Sequence, residues 1–211
     1  MNLIKKNTHS FIKKAMRINK FKYFTFTYFD CSLEQIEDIV LKKWGDCKKY
    51  KITYTPFKFD LYESNPLKGG AHFEKVYFFA PKSCDGKCVM FSNYSDGLSS
   101  LVYQITYSLK IKAYSFRICT DDFPDAINAF GYIENGTERR TVYAMKDPKW
   151  KFYCQGEVQP FEDEKLYRAR TIKQKLNKDI LIAYCVKLGF DIRDDDFWES
   201  KQSILLERLS W

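Results

Sequence analysis

Cysteine and histidine are the side chains here that could act as nucleophile, base or metal ligand near neutral pH. The spacing that stands out is Cys84 and Cys88 in the stretch KSCDGKCVMF. Two thiols so placed could hold a metal, close a disulfide or flank a turn. Asp85-Gly86 between them favours the turn, because a two-residue hairpin loop needs φ > 0 at both central positions and Asp-Gly tolerates it. In that register Cys84 faces Lys87 and Ser83 faces Cys88, so the thiols point to opposite sheet faces and cannot share a metal. A three-residue loop would instead set Cys84 opposite Cys88 and reopen a disulfide or a pair of ligands. Structural zinc takes four ligands, and the chain has no C-x-x-C pair and only His9 and His72. The expectation is free thiols near a hairpin, with no metal and no cofactor.

A catalytic thiol would need a base within reach. His72 follows Gly69-Gly70 and could pair with Cys84 or Cys88, although a histidine in such a loop reads first as a surface residue; His9 lies in a cationic N-terminal stretch. The nucleophile elbow G-x-S-x-G and the phosphate loop G-x-x-x-x-G-K-[ST] are both absent. Ser99 and Ser100, near a helix start, could meet an anion but are also ordinary surface residues. Three carboxylate clusters, Asp121-Asp122, Glu162 to Glu164 and Asp194 to Asp196, could converge on a divalent cation or act as an acid/base pair, which defines an alternative reading as a metal-dependent hydrolase. Each also has a local explanation: a loop before Phe123-Pro124, a helix start, and a cap before Phe197-Trp198.

Charge is the other lead. Of the net +8, residues 1 to 29 supply +7 through Lys5, Lys6, Lys13, Lys14, Arg17, Lys20 and Lys22 with no acid, leaving 28 basic against 27 acidic residues, or +1, for the rest. With Ile4, Phe11, Ala15 and Ile18 roughly on one side, this arm reads as a basic amphipathic segment for anionic lipid, nucleic acid or an acidic partner, or as a solvated extension with no specific role. Lys13, Lys14, Arg17 and Lys20 are its candidate partner-binding residues. KWKF at 149 to 152 and the stretch from Lys20 to Phe24 interleave lysine with aromatics, as nucleic-acid-binding strands do. Most Phe and Tyr, however, alternate as core residues, so nucleic acid is not the favoured partner.

These residues must be positioned by a chain that reads as a basic arm, residues 1–20, and a single α+β domain, residues 21–211. The 211 residues suit one large domain that buries roughly 70% of its unfolded surface. Phe24, Phe26 and Tyr28 alternate with Thr25 and Thr27 as a strand should. Ser32 with Gln35 forms a capping box for a helix from Ser32 to Trp44, apolar along Leu33, Ile36, Val40 and Trp44 and ending at Gly45. Residues 50–62, broken at Pro56 as an edge strand would be, and 73–80 read as strands. A helix is predicted from Gly97 to Leu109, capped by Ser95 or Asp96, followed by a strand through Tyr114, Phe116 and Ile118. Asn135-Gly136 predicts a type I′ hairpin within a three-stranded meander over residues 128–154. The run FEDEKLYRARTIKQKL reads as a helix with Glu162, Asp163 and Glu164 at its N-terminus, and Asn177 caps a buried helix from Asp179 to Leu188, stopped by Gly189. Residues 194–211 fit a helix or a last strand. The sum is a mainly antiparallel sheet with about three to five helices packed on it.

Seven scattered cysteines, an odd number, point to a reducing cytoplasm. No run of about 18 apolar residues exists to cross a bilayer, and MNLIKKNTHSFIKKAMRINK lacks the apolar core of a secretory signal.

From Arg139-Arg140 through KWKFYCQGEVQPFEDEKLYRAR to AYCVKLGFDI and DDFW, the chain resembles small bacterial cytosolic proteins of the immunity type, encoded beside secreted antibacterial toxins. The pattern is a meander ending in W-x-F, a Gly turn, then F-E-x-x-x-x-Y-x-x-R (Phe161, Glu162, Tyr167, Arg170) and a short buried helix. It carries no catalytic motif and transfers no functional residue. The resemblance implies a non-enzymatic protein-binding module that neutralises a toxin. Nuclease inhibitors tend to be acidic, so for this basic chain a toxin with an acidic surface is the expected partner.

Overall fold

A computed structural model describes residues 22–59, 72–120, 122–200 and 202–211. Lys13, Lys14, Arg17 and Lys20 of the arm, with His9 and Asp121, lie outside them.

The alternating run at the start of the body, Tyr23–Phe29 (β1), lies at the middle of the sheet. Helix α1 (Leu33–Trp44) follows, then strands β2 (Tyr50–Tyr54), β3 (Lys75–Phe79) and β4 (Cys88–Ser92). Helix α2 (Ser99–Leu109) leads to β5 (Lys112–Cys119), β6 (Ile127–Glu134), β7 (Thr137–Asp147) and β8 (Lys149–Gly156). One turn of helix, α3 (Ile172–Lys175), the buried α4 (Lys178–Lys187) and β9 (Ser203–Arg208) complete the chain. The order across the sheet is β2-β9-β3-β4-β1-β5-β6-β7-β8, and each pairing is antiparallel. The architecture is α+β. The undecided C-terminus is a strand, inserted between β2 and β3, and β2 before Pro56 is an edge, where a missing N–H does no harm.

Local chemistry explains the elements that form as expected. Ser32 and Gln35 make the reciprocal capping box of α1, Asn177 accepts the Ile180 N–H at the start of α4, and Asn135 (φ 51°) with Gly136 (φ 75°) makes the two-residue turn between β6 and β7. α2 starts differently: Leu98 sits at the cap in a left-handed conformation, and Asp96 accepts its N–H at 3.0 Å.

Two expectations are corrected. The β3–β4 connection is not a two-residue hairpin, since the ladder ends at Phe79↔Val89 and only Gly86 of the Asp-Gly pair has positive φ. Pro81 cannot donate to a ladder, and the Lys82 N–H is taken by the carbonyls of Asp196 and Glu199. Cys84 is thereby tucked into the core on one face while Cys88, on β4, points into the other. The run 161–176 is not one helix either. It is a loop, a short 3-10 turn at Leu166–Arg168 and α3, because Glu162 is drawn inward to Arg140 rather than standing at a helix N-terminus.

The two faces bury separate cores. On one face Phe24, Phe26, Phe79, Phe116 and Phe130 pack under α4, Phe190 and the Phe197-Trp198 pair. On the other, Phe29, Phe78 and Met90 pack under Ile36 and Val40 of α1 and Val102 and Ile105 of α2. Trp198 is anchored by its indole N–H, which donates to the Ile192 carbonyl at 2.7 Å.

Candidate functional site: a half-covered sheet face

On the face that carries α1 and α2, the two helices pack over β9, β3, β4 and β1, and α2 also reaches the Ala113 end of β5 and the Ile133 end of β6. The stretch of β5 to β7 around Arg117, Ala129 and Tyr143 lies beside that cover and lines a groove. Strand periodicity sets what is left there. Thr27, Ser115, Gly131 and Thr141 are successive cross-strand partners from β1 to β7, and Thr25, Arg117, Ala129 and Tyr143 form the adjoining row. Small and hydroxyl side chains therefore floor a groove of about 420 Å³, walled by Gly97, Ser99 and Tyr103 at the start of α2.

The floor is wired together. Thr27 and Ser115 share a hydrogen bond of 2.8 Å between their hydroxyls. The Arg117 guanidinium donates to the Asp96 carbonyl at 3.4 Å, which ties the groove to the loop before α2. Glu138 leans over Gly131, where a Cβ would stand 3.2 Å from its Oε1. The Tyr103 phenol is held above its ordinary pKa by burial, by the Glu138 charge and by a hydrogen bond to Glu138, with Arg117 pulling the other way. That phenol stays protonated and donating across the physiological range. At the outer rim Tyr143 stacks on Tyr153 with centroids 5.1 Å apart, and Tyr153 remains 40% exposed. One guanidinium, one carboxylate, three tyrosines and a row of hydroxyls on a rigid sheet recognise a surface by shape, hydrogen bonds and charge.

The opposite face holds the other polar cluster. Arg140 reaches Glu162 through Nε at 3.0 and 3.3 Å and Nη2 at 2.7 Å, with side chains 4% and 0% exposed. Its Nη1 donates to the Gly156 carbonyl at 3.0 Å. Glu162 also accepts from the Gln159 N–H and the Tyr167 hydroxyl, both at 2.7 Å, and Tyr184 donates to Tyr167 at 3.2 Å. Burial alone would lower the Arg140 pKa, but Glu162 reverses that and raises it; burial and its two hydrogen-bond partners push Tyr167 up. Every charge has its partners. The cluster clasps the C-terminal segment to the sheet.

Most sequence-level candidates do not meet. His72 stacks on Tyr94 at 4.2 Å at one end of β3, whereas Cys84 lies in the loop beyond the other end. Asp122 pairs with Lys22, Glu162 with Arg140, and Asp194 caps the short turn Asp195–Phe197. Among the described residues no three His, Cys, Asp or Glu side chains gather in a metal-binding arrangement. Ser99 does line the groove. Of the F-E-x-x-x-x-Y-x-x-R pattern, Phe161, Glu162 and Tyr167 join the clasp and its core, while Arg170 stays exposed.

Compared with protein-family models, curated proteins and solved structures, the chain matches none.

Sequence reasoning did not single out Tyr103, Arg117, Glu138 or Tyr143. The signal that could have found them is the one-sided small or hydroxyl pattern repeated over four strands: Thr25 and Thr27, Ser115, Ala129 and Gly131, Thr141. No helix among the described residues is long and apolar enough to cross a membrane.

Proposed function

We propose that this chain is a non-enzymatic cytosolic protein-binding module, an immunity protein that neutralises a bacterial toxin by engaging it on the open groove of the sheet face that carries α1 and α2. The observation that carries the reading is that groove itself. Tyr103, Arg117, Tyr143 and Tyr153 are presented on a rigid floor of small hydroxyl residues, and tyrosine and arginine are the types that dominate interface energetics. The pattern-level resemblance of the C-terminal half to immunity-type proteins points the same way. Truncating a Tyr or Arg anchor at the centre of an interface typically costs about 2 kcal/mol or more, roughly 30-fold in affinity.

The test is co-expression of the chain with the toxic products encoded beside its gene, scored by survival and by isolation of a stoichiometric complex. Arg117→Ala with Tyr143→Ala should abolish protection while leaving the circular dichroism spectrum intact. Protection that survives both changes would move the interface elsewhere. A complex that forms without protecting the cell would remove the neutralising role.

A further inference from the structure

We infer that the free edge of β8 is a docking site for an acidic, extended segment of a partner protein, which adds to the sheet as a tenth strand. The inference rests on the reading of the chain as a protein-binding module and names the chemistry of what it binds.

β8 is the last strand of the sheet and pairs only with β7, through eight consecutive residues from Lys149 to Gly156. An edge of that length offers a row of outward N–H and C=O groups, and among the described residues no backbone group from outside the ladder bonds to it. Free edges are commonly blunted by a proline, a bulge, a covering loop or lysines; Lys149 to Gly156 has no proline and no register shift against β7, and its two lysines repel a like-charged strand while leaving the edge open to an acidic one.

What surrounds the edge selects the occupant. Lys149 and Lys151 alternate with Trp150 and Phe152 along the strand, so they stand on the open-face side, the side of Tyr153. On the other side α3 lays Lys173 over the Trp150 ring at 5.5 Å and Lys175 over the Phe152 ring at 5.1 Å. Arg168 and Arg170 stand exposed in the turn just before α3. The edge thus runs between two rows of cations. Residues 149–156 hold two cations and residues 165–178 six, and neither stretch contains an acid, although Lys151 pairs at 3.6 Å with Asp147 just before the strand. The +1 of the body as a whole conceals this patch.

A strand whose side chains alternate between the two faces meets lysine on both, so an acidic strand is matched on either side. Charge argues against the other occupants. A second copy would bring the same cations to the edge, and the chain's own residues 1–20 carry Lys and Arg without an acid. Nucleic acid would satisfy the charge but has no peptide groups to pair with the edge, and Trp150 and Phe152 already have lysines over their faces, where bases would stack.

The experiment uses the full chain and three probes: a labelled peptide matching the eight residues of β8 that alternates Glu with Val and Thr; the same peptide N-methylated at alternate residues; and a single-stranded oligothymidine. Affinity is followed by fluorescence anisotropy, and exchange of the β8 amides by NMR. The plain peptide should bind, slow exchange along Lys149–Gly156, and weaken as salt rises. N-methylation should reduce affinity by about tenfold or more, since it removes donors the ladder needs. Lys149→Glu with Lys151→Glu should do likewise, and these exposed positions leave the fold intact. Absence of binding by the plain peptide, equal binding of the methylated one, or tighter binding of oligothymidine would each overturn the inference. If the peptide fails while co-expression still protects through Arg117 and Tyr143, this inference falls and the binding-protein reading stands.

Discussion

Two arginine–glutamate constellations sit on opposite faces of the same sheet and behave oppositely. On one face Arg140 and Glu162 are sealed under the C-terminal segment, with Gly156, Gln159 and Tyr167 completing their hydrogen bonds. On the other, Arg117 and Glu138 line an open groove with Tyr103 between them in charge, and Arg117 spends one contact on a loop carbonyl. The residue types are the same. What differs is the cover: a buried pair must be satisfied by the protein itself and becomes architecture, whereas an open pair is half-solvated and keeps capacity for a partner.

The largest expected effect breaks the closed side. Glu162→Ala leaves Arg140 charged and unpaired in the interior, and stability to urea should fall by about 3–5 kcal/mol. Replacing both with apolar residues, Arg140→Met with Glu162→Leu, should recover most of that loss, because the desolvation cost goes with the charges. If the single change costs less than about 1 kcal/mol, the clasp is not holding the segment and the contrast between the faces dissolves.

A smaller effect sharpens the same point. Gly156 (φ 93°) supplies the carbonyl that Arg140 reaches, and a Cβ there would lie 2.0 Å from the Arg139 oxygen. Gly86 (φ 67°) also has a left-handed backbone but open space around it. Gly86→Ala should cost about 1–2 kcal/mol, the conformational penalty alone, and Gly156→Ala clearly more, since the obstacle is backbone. Equal losses in parallel thermal melts would show that the Arg139–Gly156 stretch gives way.

How much of this was legible follows from the range of each interaction. The Asn135-Gly136 turn, the Ser32–Gln35 box and the Asn177 cap are each decided within a few residues, and each is where sequence reasoning puts it. The Asp85-Gly86 hairpin failed because the loop answers to Asp196 and Glu199, more than 100 residues away. The helix expected over 161–176 failed because Glu162 is claimed by Arg140 from another strand. The groove was illegible in one pass for the same reason, since its floor exists only after four strands are placed in register. The cations around β8 were readable as an acid-free run, but the concentrated charge of residues 1–29 hid them.

On the open side the expected changes are spectroscopic rather than structural. Glu138→Gln removes a charge that raises the Tyr103 pKa, so that phenol should titrate at lower pH than in the parent, though still above an ordinary tyrosine because burial is the larger cause. Stability should stay within about 1 kcal/mol, as for most exposed positions. NMR of ring-labelled tyrosine gives the shift directly. A Tyr103 titration unmoved by the substitution would mean that Glu138 faces away from the groove.

The smallest effect belongs to the pair that lacks cover altogether. Lys22 and Asp122 lie 2.6 Å apart with side chains 68% and 61% exposed. Hydrogen bonds from Lys22 and Thr120 hold the Asp122 carboxyl down at about 2, against 3.8 unperturbed. A depressed carboxylate contributes stability that is complete above its unfolded pKa and drains as the pH falls through its folded one. The contribution therefore disappears between pH 3.8 and about 2. Asp122→Asn should lower the melting temperature slightly at neutral pH, where the contribution is complete, the difference should vanish as the pH falls to about 2, and molar salt should shrink it by screening. A neutral-pH loss approaching that of Glu162→Ala, or one that persists in molar salt, would mean that exposure is not what separates a pair that binds the fold together from one that merely decorates it.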